Sequence, residues 1–376
     1  MKATLSQNWQ QILSCVHALQ TTYAIIDRAS DDGIALYGAG STGLEAVKYF
    51  RNKNVKIRCF IDGSTLKQGT SLAGIPVVSC DHPLAKTTPL VLITTRCSIG
   101  TIRRQLQADG HACMSFPAFY VVANLSRYEA VRDDILADDM SRVCLDALLL
   151  AMLTGRLGYC ADVMNETPYF CLSHFQNIGE EFFVDAGAYV GDTTEKFIWS
   201  STGLFQHVHL FEPGVLQFKA LQTRMKRLIE EWALDPNKIS MMNVGLGEHN
   251  GRACFGTSTD KLAATALLED TAHSDIGIPY VDVCSLDSYL EQNQFPVSFI
   301  KADIEGMEVQ MLRGACAALK KYKPKLAISV YHNLSDLFDV ITIVRSCVPE
   351  YTFSLRHHSS NLSETVLYCW VDVNGL

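Results

Sequence analysis

The sequence predicts an α/β protein built mainly around an open parallel sheet, and three observations support this fold class. Residues 180–199 have the pattern of an apolar strand ending at Asp185, followed by a turn with glycines and a helix. The next apolar run, residues 207–211, ends at Glu212 and is stopped by a proline. Residues 33–50 show the same order of strand, glycine turn and helix. Parallel sheets bind nucleotides at their carboxyl edge through such turns.

The residues at the first two strand ends make this prediction more specific. Gly187 and Gly191 let the backbone come close to a ligand that a Cβ would push away. Asp185 is placed at its strand end for a hydrogen bond, not for packing. The Glu212 carboxylate, at the tip of the second strand, can accept hydrogen bonds from both hydroxyls of a ribose. We therefore expect a nucleoside-containing ligand at this edge.

A dinucleotide-binding pattern occupies the first part of the chain. A strand runs into G-x-G-x-x-G, formed by Gly38, Gly40 and Gly43, and a helix and a second strand ending at Asp62 follow. Asp62 lies 19 residues past Gly43, close to the spacing of a ribose-binding acid. A second nucleotide site and a purely structural role both remain open for this motif.

The alternative function that this motif raises is that of an NAD(P)-dependent oxidoreductase or epimerase. Such enzymes need a Tyr-x-x-x-Lys pair downstream of the fingerprint, and we find none there. The pair formed by Tyr49 and Lys53 falls in the first crossover helix, which is the wrong place for hydride chemistry. A nonenzymatic nucleotide-sugar-binding subunit is a third possibility.

Composition narrows the class of protein. The 376 residues are 48% hydrophobic and 19% charged with a formal net charge of −8, so we expect no broad basic face and no nucleic-acid partner. Thirteen cysteines occur without a C-x-x-C or a Cys/His metal spacing, which favours buried free thiols, no disulfide framework and no metal. The start has no signal-peptide core, and the apolar run 145–153 is too short for a membrane span. We expect a soluble cytoplasmic protein.

The length suits two domains. We place a Rossmann-like domain at residues 1–122, a mainly helical linker at 123–178 and the catalytic domain at 179–376. The aromatic-rich stretch 159–177 either covers the active site or packs between domains, and packing is the favoured interpretation. Residues 252–283 are interpreted as a hairpin insertion near the acceptor site.

A carboxylate-rich block marks a further strand end. The apolar strand in residues 297–302 leads to Asp303, Glu305 and Glu308. Like charges this close raise one another's pKa, and such a group suits a general base or a cation site. An acidic helix start is the structural alternative. His332 follows another apolar strand and is therefore expected on the same edge of the sheet.

Several motifs in order resemble one family. The run VDAGAYVGDT, LFEP, NVGLGE, SLD, IKADIEGMEVQMLRGA, ISVYHN, FSLRHH, ETVLY over residues 180–372 resembles the FkbM family of S-adenosylmethionine-dependent methyltransferases. The resemblance implies a class I methyltransferase domain: a Rossmann-like seven-stranded sheet, with helices on both faces and one antiparallel strand at the edge. The segment from Phe60 also resembles the Rossmann-like domain of sugar-modifying enzymes, including sugar N-acyltransferases.

The resemblance also implies residue roles. The residues implied to contact S-adenosyl-L-methionine are Asp185, Gly187, Ala188, Gly191, Glu212, Asn243, Val244 and Asp303, with Asn243 and Val244 along the adenine. Asp303 and Glu305 would sit beside the sulfonium and the acceptor.

We expect an O-methyltransferase that acts on a sugar hydroxyl of a small molecule or glycan, including a nucleotide-sugar. His332 or Asp303 would be the base. A divalent cation held by Asp303, Glu305 and Glu308 is the rival means of activating the hydroxyl. The sequence is compatible with a homo-oligomer.

Overall fold

The computed structural model describes residues 2–28, 32–95, 98–176, 179–257, 265–268 and 280–372. It divides the chain into two compact units. Unit 1 comprises residues 1–134, 142–163 and 360–362, and unit 2 comprises residues 135–141, 164–359 and 363–376.

Unit 1 contains a six-stranded sheet with the order β3-β4-β2-β1-β5-β6. Its strands are β1 (Ile34–Tyr37), β2 (Ile57–Ile61), β3 (Ser71–Leu72), β4 (Ile75–Val78), β5 (Val91–Ile93) and β6 (Cys113–Ser115). The helices of this part of the chain are α1 (Lys2–Tyr23), α2 (Ile25–Arg28), α3 (Ser41–Arg51), α4 (Pro83–Lys86), α5 (Ile99–Ala108), α6 (Phe116–Ala123), α7 (Leu125–Ala130), α8 (Asp139–Thr154) and α9 (Gly158–Asp162).

The sheet of unit 1 is parallel except for the short β3, which pairs antiparallel with β4. Its strands are apolar on both faces, as is usual where crossover helices cover a parallel sheet. Buried side chains of neighbouring strands, among them Ala35, Cys59 and Ile93, form one hydrophobic cluster.

Unit 2 contains a seven-stranded sheet with the order β16-β17-β15-β14-β7-β8-β9. Its strands are β7 (Phe182–Ala186), β8 (His207–Phe211), β9 (Ile239–Met242), β14 (Phe299–Ala302), β15 (Lys325–Ser329), β16 (Thr352–His357) and β17 (Thr365–Trp370). The helices are α10 (Asp192–Ser200), α11 (Val215–Trp232), α12 (Leu286–Asn293), α13 (Glu308–Arg313), α14 (Cys316–Tyr322) and α15 (Asp336–Cys347).

The chain reverses its direction of travel across this sheet beside β7. From β7 it moves outward through β8 to β9, and it then returns to β14 on the other side of β7 and continues to β15. Right-handed crossovers in opposite directions put helices on opposite faces. The carboxyl ends of β7 and β14 therefore flank a crevice, which is where doubly wound sheets bind ligands.

The α/β fold class and the seven-stranded sheet are confirmed. One detail differs, because the antiparallel strand β17 lies between β15 and β16 and not at the edge. The buried aromatic rings of Phe183, Phe197 and Phe299 pack on the sheet, and the first two stack with ring centroids 4.3 Å apart.

A second, smaller sheet in unit 2 has the order β10-β13-β11-β12. Its strands are β10 (Gly245–Leu246), β11 (Gly251–Thr257), β12 (Thr265–Leu268) and β13 (Tyr280–Cys284). Within the stretch 252–283 that was predicted as a hairpin insertion, β11 pairs antiparallel with β12. Residues 258–264 and 269–279 of that stretch lie outside the described residues.

The expectation that the cysteines form no disulfide is wrong for one pair. Cys316 of α14 and Cys347 of α15 form a disulfide, although their spacing gave no sign of pairing because it depends on how two helices pack. Cys59 and Cys369 are free and buried, and Cys144 is buried, in line with the buried thiols that were predicted. Within the described residues, no helix combines the length and apolar character needed to cross a membrane.

Candidate active site

A cavity of about 270 Å³ opens at the carboxyl edge of the large sheet of unit 2. Gly187, Glu212 and Asp303, which follow β7, β8 and β14, all line it. The structure therefore brings together the three strand ends that the sequence singled out.

The turn after β7 is held closed by its own backbone. The N–H groups of Gly187 and Ala188 both donate to the carbonyl oxygen of Phe211, at 3.0 and 2.9 Å. Gly187 has φ +75°, and a Cβ there would lie 2.0 Å from the Asp303 carbonyl oxygen. Gly191 has φ +83° and precedes α10. These glycines thus allow a close approach between two strand ends as well as access for a ligand.

The Asp185 side chain is enclosed beneath this turn, whereas sequence analysis placed it against the cofactor. It is fully buried, pairs with the Lys301 ammonium at 2.9 Å and accepts a hydrogen bond from Thr194 Oγ1 at 2.6 Å. Lys301 also donates to the carbonyl oxygens of Ala186 and Gly187. Asp185 therefore acts on the cavity through Lys301, which lines it.

Lys301 was not recognised from the sequence. Burial alone would lower the pKa of its ammonium, but the Asp185 carboxylate beside it, with Asp303 further off, raises that pKa. The side chain is 3% exposed, so it presents a fixed positive charge at the floor of the site.

Glu212 is the buried acid of the cavity wall. Its residue exposure is 5%, and burial raises the pKa of its carboxyl group. One carboxylate oxygen accepts a hydrogen bond from the Tyr189 N–H at 2.9 Å and the other from the Gly214 N–H at 2.7 Å. Each oxygen keeps a further lone pair for a ligand hydroxyl.

The two residues expected along an adenine, Asn243 and Val244, lie at the end of β9 beside the cavity wall residues Gly245 and Leu246. The side-chain amide of Asn243 donates to the carbonyl oxygens of Glu212 and Pro213, and neither Asn243 nor Val244 lines the cavity. Gly245 and Leu246, the next two residues, do line it. The third strand end thus reaches the cavity one or two positions later than predicted.

The end of β14 carries the acidic block. Asp303 and Glu305 line the cavity, and His332 Nε2 lies 3.4 Å from Asp303 and 3.6 Å from Glu305. His332 Nδ1 lies 3.1 Å from Glu308 Oε1. Although burial alone would lower it, these carboxylates, Glu308 foremost, raise the pKa of His332 to about 9.

Sequence analysis also missed a tyrosine and glutamate network on Asp303. The hydroxyl of Tyr169 donates to Asp303 Oδ2 at 2.8 Å, and that of Tyr331 lies 3.2 Å from Asp303 and from Glu364. Tyr169 belongs to the aromatic segment that was expected to serve mainly for packing. Phe170 and Phe175 of that segment do pack in the core.

Backbone strain is concentrated in the same place. Four residues of the cavity wall that are not glycine have positive φ angles: Tyr169 (68°), Tyr189 (49°), Glu305 (56°) and Glu364 (61°). Such conformations are costly and persist where the surrounding structure enforces them, often at functional sites.

The charges of the wall are mostly negative. Five carboxylates line the cavity against two lysines: Asp192, Glu212, Asp303, Glu305 and Glu364 against Lys196 and Lys301. This balance favours a ligand that carries a positive charge.

The predicted second nucleotide site lies in unit 1. Gly38 has φ +115°, and a Cβ on Gly43 would lie 2.5 Å from the Gly38 carbonyl oxygen, so Gly43 serves the contact between helix and strand. The position beside Gly40 is open. The Asp62 carboxylate accepts hydrogen bonds from Ala39 N–H, Ser64 N–H and the Lys67 ammonium, which ties the glycine loop to the end of β2.

A comparison with known protein families matches the part of the chain that forms most of the large sheet of unit 2. Residues 185–354 match the family described as "Methyltransferase FkbM domain". Among solved structures, the chain is similar to methyltransferase FkbM from Methylobacillus flagellatus KT, with 23% identity and a TM-score of 0.58 over 97% of this chain and 100% of that one. A putative rRNA methylase from Clostridium thermocellum is 9% identical, with a TM-score of 0.34 over 55% of this chain and 96% of that one. None of the curated proteins matches.

The matched range contains the carboxyl ends of β7, β8, β14 and β15, and with them most of the cavity wall. The resemblance seen in the motifs is thereby confirmed. Residues 185–354 therefore form a methyltransferase domain of the FkbM type.

Proposed function

We propose that this chain transfers a methyl group from S-adenosylmethionine to a sugar hydroxyl. One observation carries the first half of the proposal. The Glu212 carboxylate is fixed by two backbone N–H groups at the end of β8, the strand next to β7, and lines the cavity. A rigidly held hydrogen-bond acceptor in that place suits the two hydroxyls of a ribose, which would donate to it.

The rest of the cavity is compatible with this donor. With its ribose at Glu212, the donor extends toward Gly187 and Asp303, where no Cβ projects from the glycine. The acidic wall would stabilise the positive sulfonium, because opposite charges attract more strongly in a partly buried site than in water. Gly245 and Leu246 supply the wall on the side of the third strand, where the adenine would lie.

The transfer itself is an in-line displacement. The acceptor oxygen, held within about 3–3.5 Å of the methyl carbon, forms a bond to it while the bond from that carbon to sulfur breaks, and S-adenosylhomocysteine leaves. The hydroxyl proton passes to a carboxylate at the end of β14, Asp303 or Glu305, both of which line the cavity. His332 suits this step less well near neutral pH, because its raised pKa keeps the imidazole protonated.

The sugar half of the proposal rests on the FkbM resemblance and on the likeness of the first hundred residues to domains of sugar-modifying enzymes. Carboxylates such as Asp303 and Glu305 are good acceptors for sugar hydroxyls, which is compatible with such a substrate. The alternative oxidoreductase function has less in its favour, since Asp62 already holds three donors within its own loop.

Calorimetric titration with S-adenosylhomocysteine tests the donor site. The unmodified chain should bind it, and Glu212→Gln should weaken binding by about 10-fold or more, as expected when a hydrogen bond to a charged group is lost. Glu195→Gln is the matched control, because Glu195 lies on α10 of the same unit but outside the cavity wall. Equal affinity in all three proteins would refute the assignment of Glu212.

The acceptor class requires a separate experiment. The chain is incubated with S-adenosylmethionine and a panel of sugars, nucleotide-sugars and hydroxyl compounds that are not carbohydrates, and products are examined by mass spectrometry. A product heavier by one methylene unit is expected for at least one sugar. Methylation restricted to acceptors that are not carbohydrates would reject the sugar half of the proposal while leaving the donor site intact.

A further inference from the structure

Three potential metal ligands meet beside the cavity of unit 2. One ligand atom from each of Asp303, Glu308 and His332 lies within 4.8 Å of the other two. Asp303 follows β14, Glu308 begins α13 and His332 follows β15. The set therefore joins three separate segments at the carboxyl edge of the sheet.

A second, independent observation points to a ligand at this place. The side chains of Glu308 and His332 are 1% and 9% exposed. Glu308 Oε2 is buried without a hydrogen bond to any described residue. Asp303 Oδ1 lies 3.4 Å from His332 Nε2 and Glu308 Oε1 lies 3.1 Å from His332 Nδ1, so carboxylate oxygens stand on both sides of the imidazole. Buried polar atoms without hydrogen bonds are rare and call for a partner, which here includes an ion.

The three ligand atoms lie within 4.8 Å of one another. Oxygen and nitrogen ligands lie about 2.0–2.2 Å from Zn²⁺ and are therefore roughly 3.0–3.6 Å apart, so the side chains would close by about 1 Å around an ion. We infer that Asp303, Glu308 and His332 bind one divalent cation. Two carboxylates and one imidazole suit an ion such as Mn²⁺ or Zn²⁺, and on binding the ion would displace the proton that the imidazole otherwise holds near neutral pH.

This site differs from the cation site considered from the sequence. That set contained Glu305 in place of His332, because three acids within six residues were visible and the approach of β15 was not. In the structure Glu305 lines the cavity outside the three ligands, where it lies 3.6 Å from His332 Nε2.

The role of the cation rests on the proposed function, whereas its binding does not. Three protein ligands leave coordination positions open for substrate, as in catalytic metal sites. The hydroxyl oxygen of the acceptor would bind there, and the cation would lower the pKa of that hydroxyl. Asp303 would then be a ligand, and the proton would pass to Glu305 as the oxygen attacks the methyl carbon.

Metal binding is tested on the full chain after treatment with EDTA. Mn²⁺ binding is measured by electron paramagnetic resonance and Zn²⁺ binding by calorimetry, each alongside titration with S-adenosylhomocysteine. We expect one ion per chain, and a loss of ion affinity in Glu308→Gln of at least about 10-fold, the smallest effect usual for residues of a metal site. Glu212→Gln is the matched control, because it should keep the ion and lose S-adenosylhomocysteine affinity.

The two variants separate this inference from the proposed function. If neither ion binds to the unmodified chain, or if Glu308→Gln binds them as tightly, the metal site is rejected whatever happens to the donor. If the ion binds as expected and S-adenosylhomocysteine does not, the metal site stands and the proposed donor site fails. Should Glu308→Gln fail to fold, His332→Gln replaces it, with the same expectation and the same refuting result.

Discussion

The buried pair of Asp185 and Lys301 offers a test of how the site is supported. Lys301→Met keeps the length and apolar stem of the side chain but removes the ammonium. That ammonium pairs with Asp185 at 2.9 Å and also donates to the Ala186 and Gly187 carbonyl oxygens at 3.2 and 2.7 Å. The variant therefore leaves a carboxylate in the protein interior with only Thr194 as a hydrogen-bond donor.

The expected loss is large. Removing one partner of a buried ion pair costs about 3–5 kcal/mol, because the remaining charge stays desolvated. Since domains are stable by only about 5–15 kcal/mol, this is a substantial share of the stability of unit 2. Replacing Asp185 by Asn in the same chain removes that charge. The double variant should therefore be more stable than the sum of the two single losses implies, by roughly 1–3 kcal/mol.

Denaturant unfolding followed by tryptophan fluorescence measures these differences. Trp199, Trp232 and Trp370 lie in unit 2, and the rings of the first two are 5.1 Å apart, so the signal reports largely on that unit. A loss below about 1 kcal/mol in Lys301→Met, the value for exposed pairs, would refute the view that this pair supports the site. Additive losses in the double variant would refute the coupling.

Two further predictions concern the glycine turn and acid stability. Gly187→Ala should lower the free energy of unfolding by about 2–5 kcal/mol and abolish S-adenosylhomocysteine binding, because it combines a left-handed φ with a Cβ that would lie 2.0 Å from the Asp303 carbonyl oxygen. Gly110 has φ +84° and open space around it, so Gly110→Ala should cost only the free energy of placing alanine in a left-handed conformation. Equal losses in the two variants would show that the clash with Asp303 is unimportant. Burial, with a smaller effect from His207, lowers the pKa of His209 to about 3. As the pH falls through about 6.5, the unfolded chain therefore binds a proton at this residue that the folded chain does not. This difference alone should lower the free energy of unfolding by about 1 kcal/mol from pH 7 to pH 5.5. His209→Phe should remove this difference of about 1 kcal/mol between the unfolding free energies at pH 7 and pH 5.5, and an unchanged pH dependence would contradict the assignment.

Local pattern was enough to locate the carboxyl edge of the sheet. Gly187 and Glu212 follow apolar strands directly, so their position at the edge follows from strand direction alone. Asp303 was found in the same way, and these three residues line one cavity.

The pairing of Asp185 with Lys301 depends on information that the sequence does not display. The two residues face each other because β7 and β14 pair in one particular register, in which Asp185 is opposite Lys301. A shift of one residue would turn both side chains to other neighbours. An acid at a strand end suggests a ligand contact when only the sequence is read, and the sheet adds a partner for it in the lysine on the next strand.

The tyrosine network was hidden for a related reason. Tyr169 is separated from Asp303 by 134 residues and reaches it from an irregular segment with a positive φ angle. No periodicity marks such a contact. The same holds for His332 and Glu308, which become neighbours only because β15 lies next to β14.

A crystal structure of the chain with S-adenosylhomocysteine would test the central claim most directly. The account predicts ligand density in the cavity of unit 2, with both ribose hydroxyls within hydrogen-bonding distance of Glu212 and the sulfur near Asp303. Density at the glycine loop of unit 1, or a ribose in unit 2 held by other residues, would contradict it.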